Sequence, residues 1–175
     1  MVIIANKQNA KSTNVLEMPE KNTTSIVQET NENTIQGTNE IENTNEQIHS
    51  WKIEIPAISL TANISEGTHE ETLNEFVGHF EITPKTEGNI GLAAHNRGYP
   101  VNYFENLKKL EGGEEIIYTY GEFTKTYVVT QNIKISDIDW SYLENSNENK
   151  ITLITCIENE PAYRRCVQAI EKEEK

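Results

Sequence analysis

The chain has 175 residues, 28 acids against 15 bases and a formal net charge of −13. That length holds one domain, or one domain plus a tail. The acidic balance argues against a nucleic-acid or anionic-membrane binder, two cysteines exclude a disulfide-built scaffold, and no apolar run approaches the roughly 20 residues that span a bilayer. The opening Met1-Val-Ile-Ile-Ala5 is too short even for a signal-peptide core, so a soluble chain is expected.

Composition divides the chain at about residue 50. Asn, Thr, Glu and Gln fill 27 of the first 50 positions, and all 13 aromatics lie from Trp51 onward. A stretch without aromatics buries too little apolar area to offset the entropy of ordering. Residues 1–50 are therefore expected to be a disordered tail or tether, and residues 51–175 one folded domain.

That domain reads as mainly β. Trp51 to Pro56 alternates with period two and stops at a proline; Ile58 to Ile64 alternates again. Thr68-His-Glu-Glu71 has the form of a capping box, with Thr68 as N-cap, and Leu73, Phe76 and Val77 supply the buried stripe of a short helix. Gly88 to Ala94 is an apolar run ending in the polar loop His95-Asn-Arg-Gly98. Phe104, Leu107 and Leu110 mark a helical turn. Ile116–Tyr120 and Phe123–Ile135, joined by Gly121-Glu122, predict a hairpin. After a polar connection from Asp137 to Asn149 come two strong strands, Ile151–Cys156 and Arg165–Ile170. About eight short strands with few helices between them favour a closed barrel over a doubly wound sheet.

Three residue types could carry chemistry. Cys156 ends a strand and opens into a polar loop, where a thiolate nucleophile can be presented, although most thiols outside disulfides are buried packing. His95 caps an apolar strand and can reach a neighbouring strand end; a surface loop histidine is the alternative. Arg164 and Arg165 open the last strand, eight and nine residues after Cys156, and an arginine stabilises both a thiolate and a developing oxyanion. Together, Cys, His and Arg at three strand ends make an acyl-transfer site. His69 in the first helical turn, His79 in a strand and His49 in the tail have structural explanations.

Thr152-Leu-Ile-Thr-Cys156, preceded by Ala93-Ala-His95 and followed by Arg164, resembles the sortases, cysteine transpeptidases on the outer face of Gram-positive membranes. The likeness runs through most of 51–175, including Ile55 to Leu60, Gly67-Thr68, Gly78-His-Phe80 and Val167-Gln-Ala169. It implies an eight-stranded sortase-type β-barrel with His95, Cys156 and Arg164 as the catalytic set. Arg164 is preferred over Arg165 because it lies five residues before Ala169. It also implies cleavage of a Leu-Pro-X-Thr-Gly-type sorting signal after its threonine through a thioester, and transfer to a peptidoglycan amine.

Strand parity puts Thr152 and Ile154 on the face of Cys156, and Ala93 on that of His95. With Ala94, Thr155 and the apolar Ile138, Trp140 and Leu143 of the 137–149 connection, these are the expected substrate contacts. The loop from Glu81 to Asn89 holds only Glu81 and Glu87 as acids, so no metal is expected, and no cofactor either. The resemblance is strongest to class D. The tail carries no Asp-Pro-aromatic lid, which favours surface-protein anchoring over pilus assembly. The implied enzyme is a monomer held to the membrane by an N-terminal anchor missing from this sequence. Two other functions use the same residues: a different cysteine acyl transferase, such as an L,D-transpeptidase, and a non-catalytic barrel that captures extended peptides by strand addition.

Overall fold

A computed structural model describes residues 50–173. The tail expected over 1–50 lies outside the described residues except for Ser50. Eight strands form the domain: β1 (Trp51–Ile55), β2 (Leu60–Glu66), β3 (Val77–His79), β4 (Asn89–Ala93), β5 (Glu115–Tyr120), β6 (Phe123–Ser136), β7 (Lys150–Cys156) and β8 (Tyr163–Glu171). They close in the order β1-β2-β3-β4-β7-β8-β6-β5. The pairs β2–β3 and β4–β7 are parallel; the other pairings are antiparallel. Closure leaves no strand with an unpaired backbone edge, which is how a sheet of this size avoids edge-to-edge aggregation.

The barrel interior is filled by one alternate set of residues from each strand. Ile53 and Ile55, Ala62 and Ile64, Ile90 and Leu92, Ile151 and Leu153, Val167 and Ala169 all belong to one core cluster. Phe104, Leu107 and Leu110 close it from the β4–β5 connection, where Leu107–Lys109 forms a 3₁₀ turn. A second, smaller apolar cluster lies on the opposite face of the strands: Phe80, Ala93, Ile135, Leu143, Ile154 and Cys166. The 3₁₀ turn Ser141–Leu143 contributes Leu143 to this outer layer.

Two local expectations differ from the structure. Pro56–Ile58 is a 3₁₀ turn, and the second strand starts at Leu60 after Ser59 swings to a left-handed φ of 53°. The expected capping box does not form. The helix α1 is only Glu70–Leu73, His69 occupies its N-cap position, and no side chain caps it. Val77 begins β3, since it must pair with Ile64 of β2. The parallel β2–β3 connection thus has room for a single helical turn.

Beside this turn, His79 is fully buried. Its Nδ1 lies 2.8 Å from Glu66 Oε1, and its Nε2 lies near the Pro84 carbonyl (3.2 Å) and Thr83 Oγ1 (3.1 Å). Lys85 pairs with the other oxygen of Glu66 and stands over the Trp51 ring. His79 is a structural residue, as its place inside a strand suggested.

Candidate active site

Strand register assembles the site. In the antiparallel β7–β8 ladder, Cys156 is the direct partner of Arg164, and Thr155 that of Arg165. Direct partners share a face of the sheet, so Arg164 accompanies Cys156 while Arg165 belongs to the other face. In the parallel β4–β7 ladder, Ala93 pairs with Ile154. The chains keep step beyond it: Ala94 N donates to Ile154 O (3.4 Å) and Thr155 Oγ1 donates to Ala94 O (2.7 Å). Two further residues along each chain are His95 and Cys156. A period of two keeps Cys156 on the face of Ile154. Cys156 and Arg164 are thus paired across β7 and β8, and His95 follows two residues beyond the last residue of β4, the strand beside β7.

Each flanking group is held from its own side. Arg164 Nη1 donates to the carbonyls of Pro161 (2.8 Å) and Tyr163 (2.7 Å), and its Nη2 lies 4.0 Å from Asp137 Oδ2. The β7–β8 loop and the end of β6 thus fix the guanidinium. His95 is 4% exposed and stacks on Tyr99, ring centroids 3.5 Å apart. Its backbone oxygen accepts from Phe104 N (3.1 Å). Its Nε2 is buried and meets no hydrogen-bond partner among the described residues. Burial disfavours the charged ring and holds the His95 imidazole below its ordinary titration range.

The loop carrying Tyr99 is clipped by Asn102, whose Oδ1 accepts from Tyr99 N (3.3 Å) and whose Nδ2 donates to Tyr99 O (3.0 Å). Arg97 of the same loop pairs with Glu158 of the β7–β8 loop, joining the two sides of the cysteine. Cys156 is half-buried and Cys166 is fully buried, and both are thiols. Desolvation pushes the Cys166 thiol up to about 12, so it stays protonated.

A polar cluster anchors the 137–149 connection over the outer face. Asn89 Nδ2 donates to the carbonyls of Tyr142 (2.8 Å) and Glu144 (2.9 Å), and Thr152 Oγ1 donates to Asn89 Oδ1 (2.7 Å). Gln168 Nε2 reaches Thr152 Oγ1 (3.0 Å) and the Tyr142 carbonyl (3.2 Å). Gly91 permits the close approach: a Cβ there would lie 2.8 Å from Leu143 Cδ2 and 3.2 Å from Phe80 Cδ2. Farther out, Trp140 meets Phe80 edge-on at 6.3 Å, and Ile138 is 78% exposed.

The expected substrate contacts separate into four groups. Ile138 and Trp140 stand at the surface, and Trp140 meets Phe80 of the outer cluster. Ala93, Ile154 and Leu143 lie within that cluster, on the face of Cys156. Ala94 and Thr155 instead face inward: Ala94 packs in the barrel core, and Thr155 is buried with its hydroxyl on Ala94 O. They neighbour groove residues in sequence, and period two sends them to the opposite face. Thr152 has the expected parity but is fully buried beneath the 141–143 turn, where it serves the polar cluster. The sequence reading missed Tyr99, Asn89 and Gly91. The last two left a trace: Asn89, Gly91 and Ala93 alternate with Ile90, Leu92 and Ala94 as a polar-or-small face, the mark of a surface closely covered by something else. Tyr99 left none, because a loop aromatic has no periodicity.

Among the described residues, no group of three or more His, Cys, Asp or Glu side chains could hold a metal ion. No described helix is long and apolar enough to cross a membrane.

The sortase domain family model matches residues 53–172. Sortase A of Bacillus anthracis is 28% identical over 119 residues, 67% of this chain and 57% of that protein. Sortase D of Bacillus subtilis (strain 168) is 32% identical over 108 residues, 59% of this chain and 52% of that protein. The chain spans a little over half the length of these two relatives. Among solved structures, sortase C-1 from Actinomyces oris superposes with a TM-score of 0.68 at 25% identity, covering 72% of this chain and 75% of that one. Sortase C1 of Streptococcus agalactiae gives 0.67 at 26% identity, covering 73% and 69%.

Proposed function

The chain belongs to the sortase family, and from that membership we propose that it is a cysteine transpeptidase acting on sorting signals of the Leu-Pro-X-Thr-Gly type. The single observation that carries this reading is the direct pairing of Cys156 with Arg164 across β7 and β8, with His95 two residues past the end of the neighbouring β4. The Cys156 thiolate attacks the carbonyl carbon of the threonine. Arg164 stabilises the tetrahedral oxygen, a kind of contact whose loss typically costs about 10²–10³ in rate. The C–N bond breaks, and the imidazolium of His95 gives its proton to the departing amine, leaving a thioester. An incoming peptidoglycan amine attacks that carbonyl and passes its proton to His95. The C–S bond breaks and a new amide remains.

The apolar outer cluster, with Trp140 against Phe80 at its rim, suits the leucine and proline of the signal. The reaction belongs on the outer face of the membrane. The 32% identity to a sortase D supports a class D reading within the family.

The test is mass spectrometry of the protein incubated with a Leu-Pro-X-Thr-Gly peptide and triglycine. A peptide adduct on Cys156 and a ligated product, both lost in Cys156→Ala, are the expected result. Peptide binding without an adduct would indicate a capture module instead, and an adduct formed only with stem peptides another acyl transferase.

A further inference from the structure

His95 serves as acid and base in the proposed reaction, yet nothing in its own side chain fixes the plane of its ring. The torsion that turns an imidazole is broad and two-fold, and His95 lies two residues past the last residue of β4, outside the strand ladder. A catalytic histidine is usually oriented by a hydrogen bond from its second ring nitrogen to a carboxylate or carbonyl. Here the buried Nε2 meets no partner among the described residues. The ring is held instead by its face, stacked on Tyr99 with centroids 3.5 Å apart.

A face contact orients a ring only as well as its backing is fixed, and Tyr99 stands on a loop. Phe104, buried in the barrel core, closes that loop by donating its N–H to the His95 carbonyl (3.1 Å). Inside the loop, Pro100 disfavours helical backbone at Tyr99, and one side chain grips the Tyr99 backbone on both sides. Asn102 Oδ1 accepts from Tyr99 N (3.3 Å), and Asn102 Nδ2 donates to Tyr99 O (3.0 Å). Asn102 is itself tied down: its carbonyl accepts from Glu105 N (3.1 Å), next to the core-bound Phe104. A chain of contacts thus runs from the barrel core through Phe104, Asn102 and Tyr99 to the imidazole. Resting on the transpeptidase reading above, we infer that Asn102 is a positioning residue: through Tyr99 it sets the plane of the His95 ring for proton transfer. Packing here does what a hydrogen-bonded carboxylate does for the histidine of a Ser-His-Asp triad.

The test is a double-mutant cycle. Thioester formation is timed under single turnover with a Leu-Pro-X-Thr-Gly peptide for the wild type, Asn102→Ala, Tyr99→Ala and the double variant. At saturating peptide the rate should fall about tenfold in Asn102→Ala, part of the roughly 10²–10⁴ that positioned proton transfer contributes. The peptide concentration giving half the maximal rate should not move. The final amount of adduct should not fall either, whereas a variant that was merely less stable would lose adduct and keep its rate. The double variant should match Tyr99→Ala alone, because Asn102 acts on the ring only through Tyr99. Multiplied losses in the double variant, or an unchanged rate in Asn102→Ala, would overturn the assignment. Asn102→Asp, the same size but without the donor to Tyr99 O, takes its place if Asn102→Ala does not fold. NMR separates the positioning role from the transpeptidase reading. The Tyr99 ring current moves the His95 ring-proton signals upfield, and either Asn102 variant should return them toward their place in Tyr99→Ala. If no peptide forms an adduct, the transpeptidase reading fails and these signals decide alone. Moved in the Asn102 variants, they support the positioning role; unmoved, they reject it.

Discussion

The imidazole of His95 and the phenol ring of Tyr99 lie face to face, with planes 4° apart. The stack covers the ring on which proton transfer depends in the proposed mechanism, and it contributes to the burial that disfavours the charged imidazole. Removing the phenol re-solvates the histidine. In Tyr99→Ala the titration midpoint of His95, followed by NMR, should rise toward the unperturbed value of about 6.5. The acid limb of kcat/KM should move up in pH with it, and Tyr99→Phe should leave both in place. A midpoint unchanged in Tyr99→Ala would show that the stack has no influence on the ring.

Cys156 and Cys166 differ in environment, although both lie on the outer face of adjacent strands. Native protein treated with iodoacetamide near neutral pH should be alkylated once, on Cys156. Cys166, fully buried and held as a thiol, should react only on unfolding. Peptide mapping after a timed exposure decides this. Modification of both cysteines at similar rates would contradict the packing described.

Much of this was legible in the residues. Period-two alternation gave the strands and, through parity, the shared face of Ala93, Ile154 and Cys156. The same parity turns Ala94 and Thr155, next to Ala93 and Ile154, toward the barrel interior. The capping-box pattern at Thr68 failed because β3 needs Val77 opposite Ile64, and tertiary pairing overrides a local motif. What pattern could not supply was contact across long sequence separations. The polar cluster of Asn89, Thr152 and Gln168 brings together three chain segments. The Tyr99 stack depends on a loop conformation set by Asn102.

That polar cluster carries its own prediction. Asn89→Ala removes a donor from the Glu144 carbonyl and one of three donors from the Tyr142 carbonyl, at a cost of about 1–3 kcal/mol. Urea denaturation should show the loss. Because the same bonds hold the 141–143 turn beside Trp140, KM for the sorting peptide should rise more than kcat falls. Stability and KM both unchanged would mean that the connection is held by other contacts.

Glu66 sets an acid limit to stability. Burial works to raise its pKa, but hydrogen bonds and charge attraction from Lys85 and His79 prevail and hold it below the usual carboxylate range. A carboxylate depressed in the folded state contributes stability that is present above the unfolded value of about 4.3 and is lost as pH falls through the folded one. Chemical denaturation midpoints measured from pH 6 down to 2.5 should therefore fall less steeply for Glu66→Gln than for the wild type. Parallel curves would remove Glu66 from the account.

The most direct test of the central claim is intact-mass analysis of single-turnover mixtures of protein and a Leu-Pro-X-Thr-Gly peptide, with wild type, Cys156→Ala, His95→Ala and Arg164→Ala compared. The account predicts a thioester adduct in the wild type, none in Cys156→Ala, and formation slowed by about 10² or more in the other two. An adduct that persists in Cys156→Ala, or forms at the wild-type rate without His95 or Arg164, would contradict it.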